Sequence, residues 1–189
     1  MLTEAVAETD EALLEKYMEN DALSLDELES GVKNGVEQGL LTPVFCCSAP
    51  TQLGVGALLD AIVAYIPPAA VLKKSIKATN QKDEEITLDC VESGAPVAFV
   101  FKTISDPFVG RLSIFRVYSG VLRKDGTLFN TRSEATERLA KLFVIRGKEQ
   151  IEVSELKAGD IGAISKLSAT ATQDTLCDKG KIAKIEILT

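Results

Sequence analysis

The chain has 189 residues, no histidine, no tryptophan and a formal net charge of −7 at pH 7. The absence of histidine excludes the Ser-His-Asp and Cys-His catalytic arrangements and removes the commonest zinc ligand. The negative charge excludes a protein that binds nucleic acid over its whole surface, so any such contact needs a locally basic patch.

Cysteine usage and hydropathy bear on the cellular compartment. The four cysteines, at positions 46, 47, 90 and 177, form no CxxC pair. No uninterrupted run of 18 apolar residues indicates a transmembrane helix, and the acidic start MLTEAVAETDE lacks the basic region of a secretory signal. We therefore expect free thiols, a cytoplasmic location and no membrane partner.

Residues 1–66 favour helices. Leu2, Val6, Leu13 and Tyr17 share one helical face, which predicts a first helix with Thr3 as its candidate cap. The sequence SLDE at 24–27 is a capping box that predicts the start of a second helix. Gly31 and Gly35 weaken that second helix by about 1 kcal/mol each relative to alanine.

The stretch TPVFCCSAP at 42–50 is nearly all apolar. It predicts a short strand that is buried on both faces, as in a parallel sheet. Residues 55–66 then carry a strong helical stripe, which Pro67 and Pro68 end. Strand, loop and helix in this order are typical of the last part of an α/β unit, so residues 1–68 are interpreted as an α/β fragment.

Two features of this stretch resemble binding sites. Cys46 and Cys47, as neighbours on a strand, would point to opposite faces, so we interpret them as buried apolar groups rather than metal ligands. Gly54 and Gly56 precede a helix whose N-terminus could bind an anion. Because neither GxxxxGK[ST] nor GxGxxG is present, we predict neither a metal site nor a phosphate loop here.

The second half of the chain has the period of β-strands. Residues 69–94 are polar and predict a linker or extended connection, with one candidate strand at 86–91. From Ala95 onward, six or seven short strands predict a small closed β-barrel at 95–189, so the fold as a whole is mainly β. In PVAFVFKTI the residues Val97, Phe99 and Phe101 share one face, whereas RLSIFRVY changes phase, which indicates a bulge or a strand buried on both sides.

Turn residues separate the later strands. RKDGTLF predicts a tight hairpin with Asp125-Gly126 as its turn. ERLAKLFVI predicts one strand with Leu139, Phe143 and Ile145 inward. Two further short strands are predicted, with turns at 159–160 and 173–174.

Residues 102–148 are locally basic within an acidic chain. They contain ten Lys and Arg against four Asp and Glu, an excess of about six positive charges. The basic residues are Lys102, Arg111, Arg116, Arg123, Lys124, Arg132, Arg138, Lys141, Arg146 and Lys148. Such a stretch indicates a surface for a phosphate backbone, although an ordinary barrel surface gives the same pattern.

Long strings of the sequence resemble the elongation factor G family. DPFVGRLSIFRVYSGVLRKDGTLFN at 106–130, AGDIGAISKL at 158–167 and QDTLCD at 173–178 resemble the barrel that forms its second domain. AETDEALLEKYMEN at 7–20 and TPVFCCSAPTQLGVGALLDAIVAYIPP at 42–68 resemble the end of the preceding GTP-binding domain. The resemblance covers nearly the whole chain in consecutive order.

The resemblance implies a parent protein that hydrolyses GTP on the ribosome to drive the movement of tRNA and mRNA. Ser48 and Ala49 match the fifth GTPase motif and would line the guanine pocket of that parent, which uses GTP and Mg. The departures at Cys47 and Pro50, where the family often has Gly and an aromatic residue or Leu, indicate a paralogue. The chain lacks GxxxxGK[ST], DxxG, NKxD and the catalytic histidine, so we expect a fragment with no cofactor, metal or enzymatic activity of its own.

The partners implied by the resemblance are the remaining domains of the same chain and the RNA of the small ribosomal subunit, but no DNA. The candidate RNA contacts are Arg111, Arg116 and Arg146. Two alternatives stay open: a ribosome-protection or release-type translational GTPase, and a non-enzymatic, stand-alone β-barrel adaptor.

Overall fold

A computed structural model describes residues 2–72, 75–106 and 110–185, with the side chain of Asp106 excepted. The chain divides into two compact units, the first ending at Pro68 and the second beginning at Ala69. The first unit is helical, whereas the second is built almost entirely from strands.

The first unit contains α1 (Leu2–Ala7), α2 (Glu11–Asn20), α3 (Leu25–Glu37) and α4 (Val55–Tyr65). The capping box predicted at the start of α3 is confirmed. Both glycines that weaken α3 are buried, and Gly31 lies where α1 approaches the helix. A Cβ added at Gly31 would overlap Cγ1 of Val6, so glycine is what permits this close approach.

The prediction of one continuous first helix is wrong. Asp10 has an extended backbone and accepts hydrogen bonds from the N–H groups of Ala12 (3.0 Å) and Leu13 (3.1 Å). This N-cap starts α2 as a separate helix. Thr3, the candidate cap, instead lies inside α1.

The strand predicted within 42–50 is absent. Residues 41–47 adopt neither helix nor strand, and Ser48 makes only an isolated bridge to Leu53. Val44 is 87% exposed and Phe45 is 43% exposed. A strand buried on both faces needs neighbouring strands, and the described residues of the first unit supply none.

The second unit opens with α5 (Ala69–Leu72), β1 (Ser75–Thr79) and β2 (Glu85–Asp89). The two strands pair antiparallel, with Ala78 opposite Ile86. Residues 69–94 therefore contain a hairpin whose apolar side chains pack on the barrel, in place of the predicted linker or extended connection.

Ten further strands follow in the described part of the second unit. They are β3 (Val97–Asp106), β4 (Gly110–Ser119), β5 (Val121–Arg123), β6 (Thr127–Asn130), β7 (Thr136–Arg138), β8 (Leu142–Arg146), β9 (Glu149–Val153), β10 (Glu155–Lys157), β11 (Ile161–Ser165) and β12 (Thr175–Cys177). Eight of them form one curled sheet in the order β7-β6-β12-β3-β4-β11-β8-β9, and β5 pairs with β10. The predicted mainly β, barrel-type fold is confirmed, but the strands outnumber the six or seven predicted and the large sheet is a half-barrel.

One apolar core joins the curled eight-stranded sheet to the β5–β10 pair. Leu122 of β5 and Leu156 of β10 are buried against side chains of the curled sheet. The buried members are Ala98, Val100, Phe115, Val117, Leu122, Leu128, Leu139, Leu142, Leu156, Ile164, Leu167 and Leu176. Each large side chain among them stabilises the fold by about 1.5–3 kcal/mol relative to exposure.

β4 is buried on both faces, as its change of phase predicted. Phe115 lies in the main core, whereas Leu112 packs with Phe143 and Ala163 on the other side of the sheet. The pairing of β3 with β4 shifts register between Val100 and Lys102, which marks a bulge. Val97 and Phe99 share a second cluster, but Phe101, expected beside them, is 43% exposed.

Two local predictions for the later strands are wrong. Asp125 and Gly126 do form a turn, but the flanking strands do not pair, because β5 pairs with β10 and β6 pairs with β7 and β12. ERLAKLFVI is split into β7 and β8; Leu139 and Phe143 are buried as predicted, but Ile145 is 38% exposed. The turns at 159–160 and 173–174 are confirmed by the left-handed backbone of Gly159 and Gln173.

One segment, Val55–Leu72, is long and apolar enough by composition to cross a membrane, with a mean hydropathy of 1.9. In the structure α4 ends at Tyr65, Ile66 is extended, and α5 begins only at Ala69 after two prolines. The expectation of no membrane partner therefore stays a prediction.

Candidate functional site

The predicted guanine-binding residues lie in a tight loop that leads into α4. The N–H of Ser48 donates to the carbonyl of Leu53 (2.9 Å), and the N–H of Gln52 donates to the carbonyl of Ala49 (3.3 Å). Ser48 is half-buried and Ala49 is exposed. The loop therefore fixes the backbone of Ser48 while it leaves Ala49 open to solvent.

Gly54 closes this loop and precedes α4. Its φ of +75° is a left-handed conformation that glycine adopts without strain. A Cβ at this position would lie 3.0 Å from the carbonyl oxygen of Cys46. Gly54 thus has a structural role in bringing the loop and the preceding segment together.

The four cysteines are free thiols. Cys46 and Cys47 are exposed, so their interpretation as buried apolar groups is wrong in this structure. Cys177 is fully buried in the second unit, and burial raises the pKa of its thiol. Within the described residues no group of three or more His, Cys, Asp or Glu side chains is placed to hold a metal ion.

Most of the basic residues at 102–148 are neutralised by carboxylates. Six of the ten make ion pairs in the described structure. The pairs are Arg123–Glu155, Lys124–Glu152, Arg132–Asp174, Arg138–Asp125, Lys141–Glu152 and Arg146–Glu149. The excess of charge in the sequence therefore does not form one continuous basic patch.

The structure does not bring the three candidate RNA contacts together. Arg111 and Arg116 both lie on β4, but odd and even positions of a strand face opposite sides. Arg146 lies on β8, where its Nη2 donates to Glu149 (2.8 Å).

The environments of the two β4 arginines also differ. Arg111 is exposed and makes no ion pair among the described residues. Arg116 is half-buried, with its guanidinium carbon 5.3 Å from the centre of the Tyr118 ring, in the range of a cation–π contact. Its Nε is buried without a hydrogen-bond partner in the described part of the chain. Arg111 is therefore the better placed of the two to meet a partner.

Sequence reasoning missed a buried polar network around Asp174. Both oxygens of this carboxylate accept hydrogen bonds from Arg132, and one also accepts from Asn130 (2.8 Å) and the N–H of Ala171 (2.7 Å). Burial raises the pKa of Asp174, but the hydrogen bonds from Arg132, Ala171 and Asn130 outweigh it, so the pKa lies below its ordinary value. Asp174 is therefore a buried but ionised group.

A second carboxylate fixes the same loop. Glu137 is 4% exposed and accepts hydrogen bonds from the N–H groups of Ser168 (3.2 Å) and Ala169 (2.7 Å) and from the hydroxyl of Thr170 (2.9 Å). Its partners lie at least 31 residues away in the sequence. The network holds residues 168–174 against β6 and β7, which is a structural role.

A cavity of about 420 Å³ lies in the second unit, beside the β1–β2 turn. Its wall includes Arg132 and Lys184 together with Asp83 and Glu134, so both signs of charge are present. None of the predicted site residues lines it.

Comparison with known proteins gives two findings. Residues 95–179 match the family model described as Elongation factor G domain 2. A crystal structure of a protein from Thermus thermophilus is similar to this chain, with 31% identity and a TM-score of 0.68 over 93% of the chain. The match covers 24% of that protein, so this chain spans about a quarter of its length.

Proposed function

Because this chain carries an elongation factor G-like second domain, we propose that it is part of a ribosome-associated translation elongation factor. The parent protein hydrolyses GTP, with Mg, to drive the movement of tRNA and mRNA through the ribosome, and it acts in the cytoplasm. The observation that carries the proposal is the match of residues 95–179, which contain β3 to β12, to the second domain of this family.

The first unit supplies the end of the GTP-binding domain in this proposal. Its support is an apolar surface that no described residue covers: Val44, Phe45, Leu53, Leu59, Ile62, Val63 and Ile66 are each at least 43% exposed. Large exposed apolar patches mark interfaces, and these side chains supply the apolar groups for one. The partner is the preceding part of the same domain, against which residues 43–47 gain neighbouring strands.

Ser48 and Ala49 line the guanine pocket only when that domain is complete. The loop from Ser48 to Leu53 holds one corner of such a pocket, because its backbone is fixed by hydrogen bonds. The phosphate, magnesium and remaining guanine contacts need GxxxxGK[ST], DxxG and NKxD, none of which occurs in these 189 residues.

The isolated chain is therefore expected neither to bind nor to hydrolyse GTP. Calorimetric titration of the 189-residue chain with Mg-GTP should give no heat of binding. Micromolar affinity would contradict the assignment of Ser48 and Ala49 to one corner of an incomplete pocket.

The barrel contacts the small ribosomal subunit. Sedimentation of the chain with isolated small subunits tests this, with isolated large subunits as the matched control. We expect the chain to pellet with small subunits at low salt and to be released as salt rises, because phosphate contacts release counterions. Absence from both pellets at low salt would overturn the proposal.

The coding sequence around this chain separates the parent GTPase from a stand-alone adaptor. A reading frame that carries GxxxxGK[ST] and NKxD upstream of residue 1 supports the proposal. A frame that starts at Met1 and ends at Thr189 would instead favour the adaptor.

A further inference from the structure

The cavity beside the β1–β2 turn has walls that the fold itself holds in place. Its volume of about 420 Å³ lies in the range of about 300–1,000 Å³ that is typical of small-molecule sites. Asn80 fixes the β1–β2 turn, because its Oδ1 accepts hydrogen bonds from the N–H groups of Lys82 (2.8 Å) and Glu84 (3.1 Å). Asn130 fixes the turn after β6, which also lines the cavity, by accepting from the N–H of Arg132 (2.9 Å).

Two cations, Arg132 and Lys184, line the cavity. Arg132 donates from Nε and Nη2 to the two oxygens of the buried Asp174, which fixes the orientation of its planar guanidinium. A guanidinium carries five N–H donors, and Asp174 uses two of them. The other three have no partner among the described residues, so they are free for a ligand carboxylate, which arginine binds through two parallel hydrogen bonds.

Two carboxylates line the same cavity. Asp83 and Glu134 are exposed in its two turns, where their backbone φ angles are +59° and +54°. Neither side chain makes an ion pair or a hydrogen bond within the described residues. Unpaired carboxylates attract an ammonium group and repel a phosphate, so they argue against a nucleotide as the ligand.

Apolar side chains complete the lining. Phe129 of β6 and Ile182 are half-buried at the cavity wall. Both also pack against the buried cluster that contains Phe99 and Cys177, so the fold fixes their positions. An apolar group of a ligand that lies against them is removed from water, which favours binding.

We propose that this cavity binds a zwitterion of amino-acid chemistry, which is a free α-amino acid or a short peptide with an apolar side chain. Arg132 binds the carboxylate, and Asp83 and Glu134 bind the ammonium group. Phe129 and Ile182 cover the apolar side chain. The site is independent of the proposed function, because it uses neither the guanine-binding residues nor the candidate RNA contacts.

Nitrogen–proton correlation NMR of the 189-residue chain, titrated with L-leucine and with L-leucyl-L-leucine, tests the proposal. We expect saturable shifts of the backbone amides at 80–83, 129–134 and 182–184, since these segments line the cavity. N-acetyl-L-leucine lacks the ammonium group and L-leucinamide lacks the carboxylate, so each should bind at least about tenfold more weakly than L-leucine. Glycine, which lacks the apolar side chain, should also bind more weakly.

The double variant Asp83→Asn, Glu134→Gln tests the ammonium contacts from the side of the protein. It removes both charges and keeps the side-chain sizes, so it should weaken L-leucine at least about tenfold without weakening N-acetyl-L-leucine. Asp89→Asn is the matched control, because Asp89 is an exposed carboxylate of the same hairpin outside the cavity, and it should change neither affinity. Arg132 also holds Asp174, so its contact is tested with L-leucinamide rather than by substitution.

The two ligands separate the two sources of the zwitterion. Tighter binding of the dipeptide than of L-leucine supports a peptide site, and the reverse supports a site for free amino acids. Shifts that stay linear up to about 10 mM of either ligand would overturn the proposal, as would equal affinities for L-leucine and its two blocked forms. A double variant that keeps the wild-type thermal midpoint and the wild-type affinity for L-leucine would overturn it as well.

Discussion

At the residue scale, Asp174 shows how a charge is held inside the barrel. Its side chain is fully buried, yet the hydrogen bonds from Arg132, Asn130 and Ala171 keep it ionised. A buried carboxylate needs this full set of donors, because an unpaired buried charge is strongly destabilising. Residue 174 therefore anchors its loop only while it carries its charge.

Stability in acid should depend on Asp174. Its pKa is lowered in the folded chain, so its contribution is present above the ordinary Asp value near 3.9 and is lost as pH falls through the folded value. Asp174→Asn should cost about 1–3 kcal/mol at pH 7. Urea unfolding of both proteins from neutral pH to about pH 3 should show their difference shrinking below about pH 4. A difference that stays constant across this range would contradict the ionised state.

Local chemistry explains which residue-scale features the sequence could predict. Ser24 and Glu27 form a capping box within four consecutive residues, so the pattern alone identified it. Asn130 and Asp174 are 44 residues apart, and no local pattern connects them. Arg146 stays a predicted RNA contact, but a count of charges in the sequence could not show that its side chain pairs with Glu149.

At the element scale, the packing of α1 on α3 depends on the absence of a Cβ at Gly31. Gly31→Ala would gain about 1 kcal/mol of helix propensity. The added Cβ overlaps Val6, which is itself fully buried, and such overpacking costs about 1–3 kcal/mol. The substitution should therefore be neutral to destabilising.

Gly56→Ala in α4 is the matched control, because a Cβ there meets no atom within 4 Å. Thermal unfolding followed by circular dichroism should show Gly56→Ala at or above the wild-type midpoint and Gly31→Ala at or below it. A stabilised Gly31→Ala chain would contradict the close approach of the two helices.

The helices and strands whose hydrophobic period matches the surface that they bury could be predicted from the sequence. The helical stripe of α4 and the period-two strands of the barrel were found from the sequence. The conformation of residues 42–47 was predicted wrongly. A strand buried on both faces forms only between neighbouring strands, and Val44 is instead 87% exposed. In the β1–β2 hairpin the candidate strand at 86–91 is confirmed as β2 (Glu85–Asp89), but β1 was missed because its exposed face is polar and resembles a linker.

At the scale of the whole molecule, the two units should differ in stability. The barrel shares one core of twelve buried residues, whereas the described first unit buries few apolar side chains. Hydrogen exchange should therefore be slow at β3, β4 and β11 and fast at residues 41–54. Equal protection of both regions would contradict an unpartnered apolar surface on the first unit.

The barrel and its similarity to the second domain of elongation factor G could be predicted from long strings within residues 106–178, and residues 95–179 match the model of that domain. The set of basic residues that stay without an ion pair could not be predicted, because it depends on which side chains folding brings together. Lys166 lies outside the basic stretch of the sequence and joins Arg111 only through the pairing of β11 with β4.

Hydroxyl-radical footprinting of small-subunit RNA, with and without the 189-residue chain, tests most directly whether this barrel is a ribosome-binding domain. We predict protection of backbone positions, weakened more by Arg111→Gln than by Arg146→Gln. RNA cleavage that is identical with and without the chain, at a concentration where sedimentation is complete, would contradict the account.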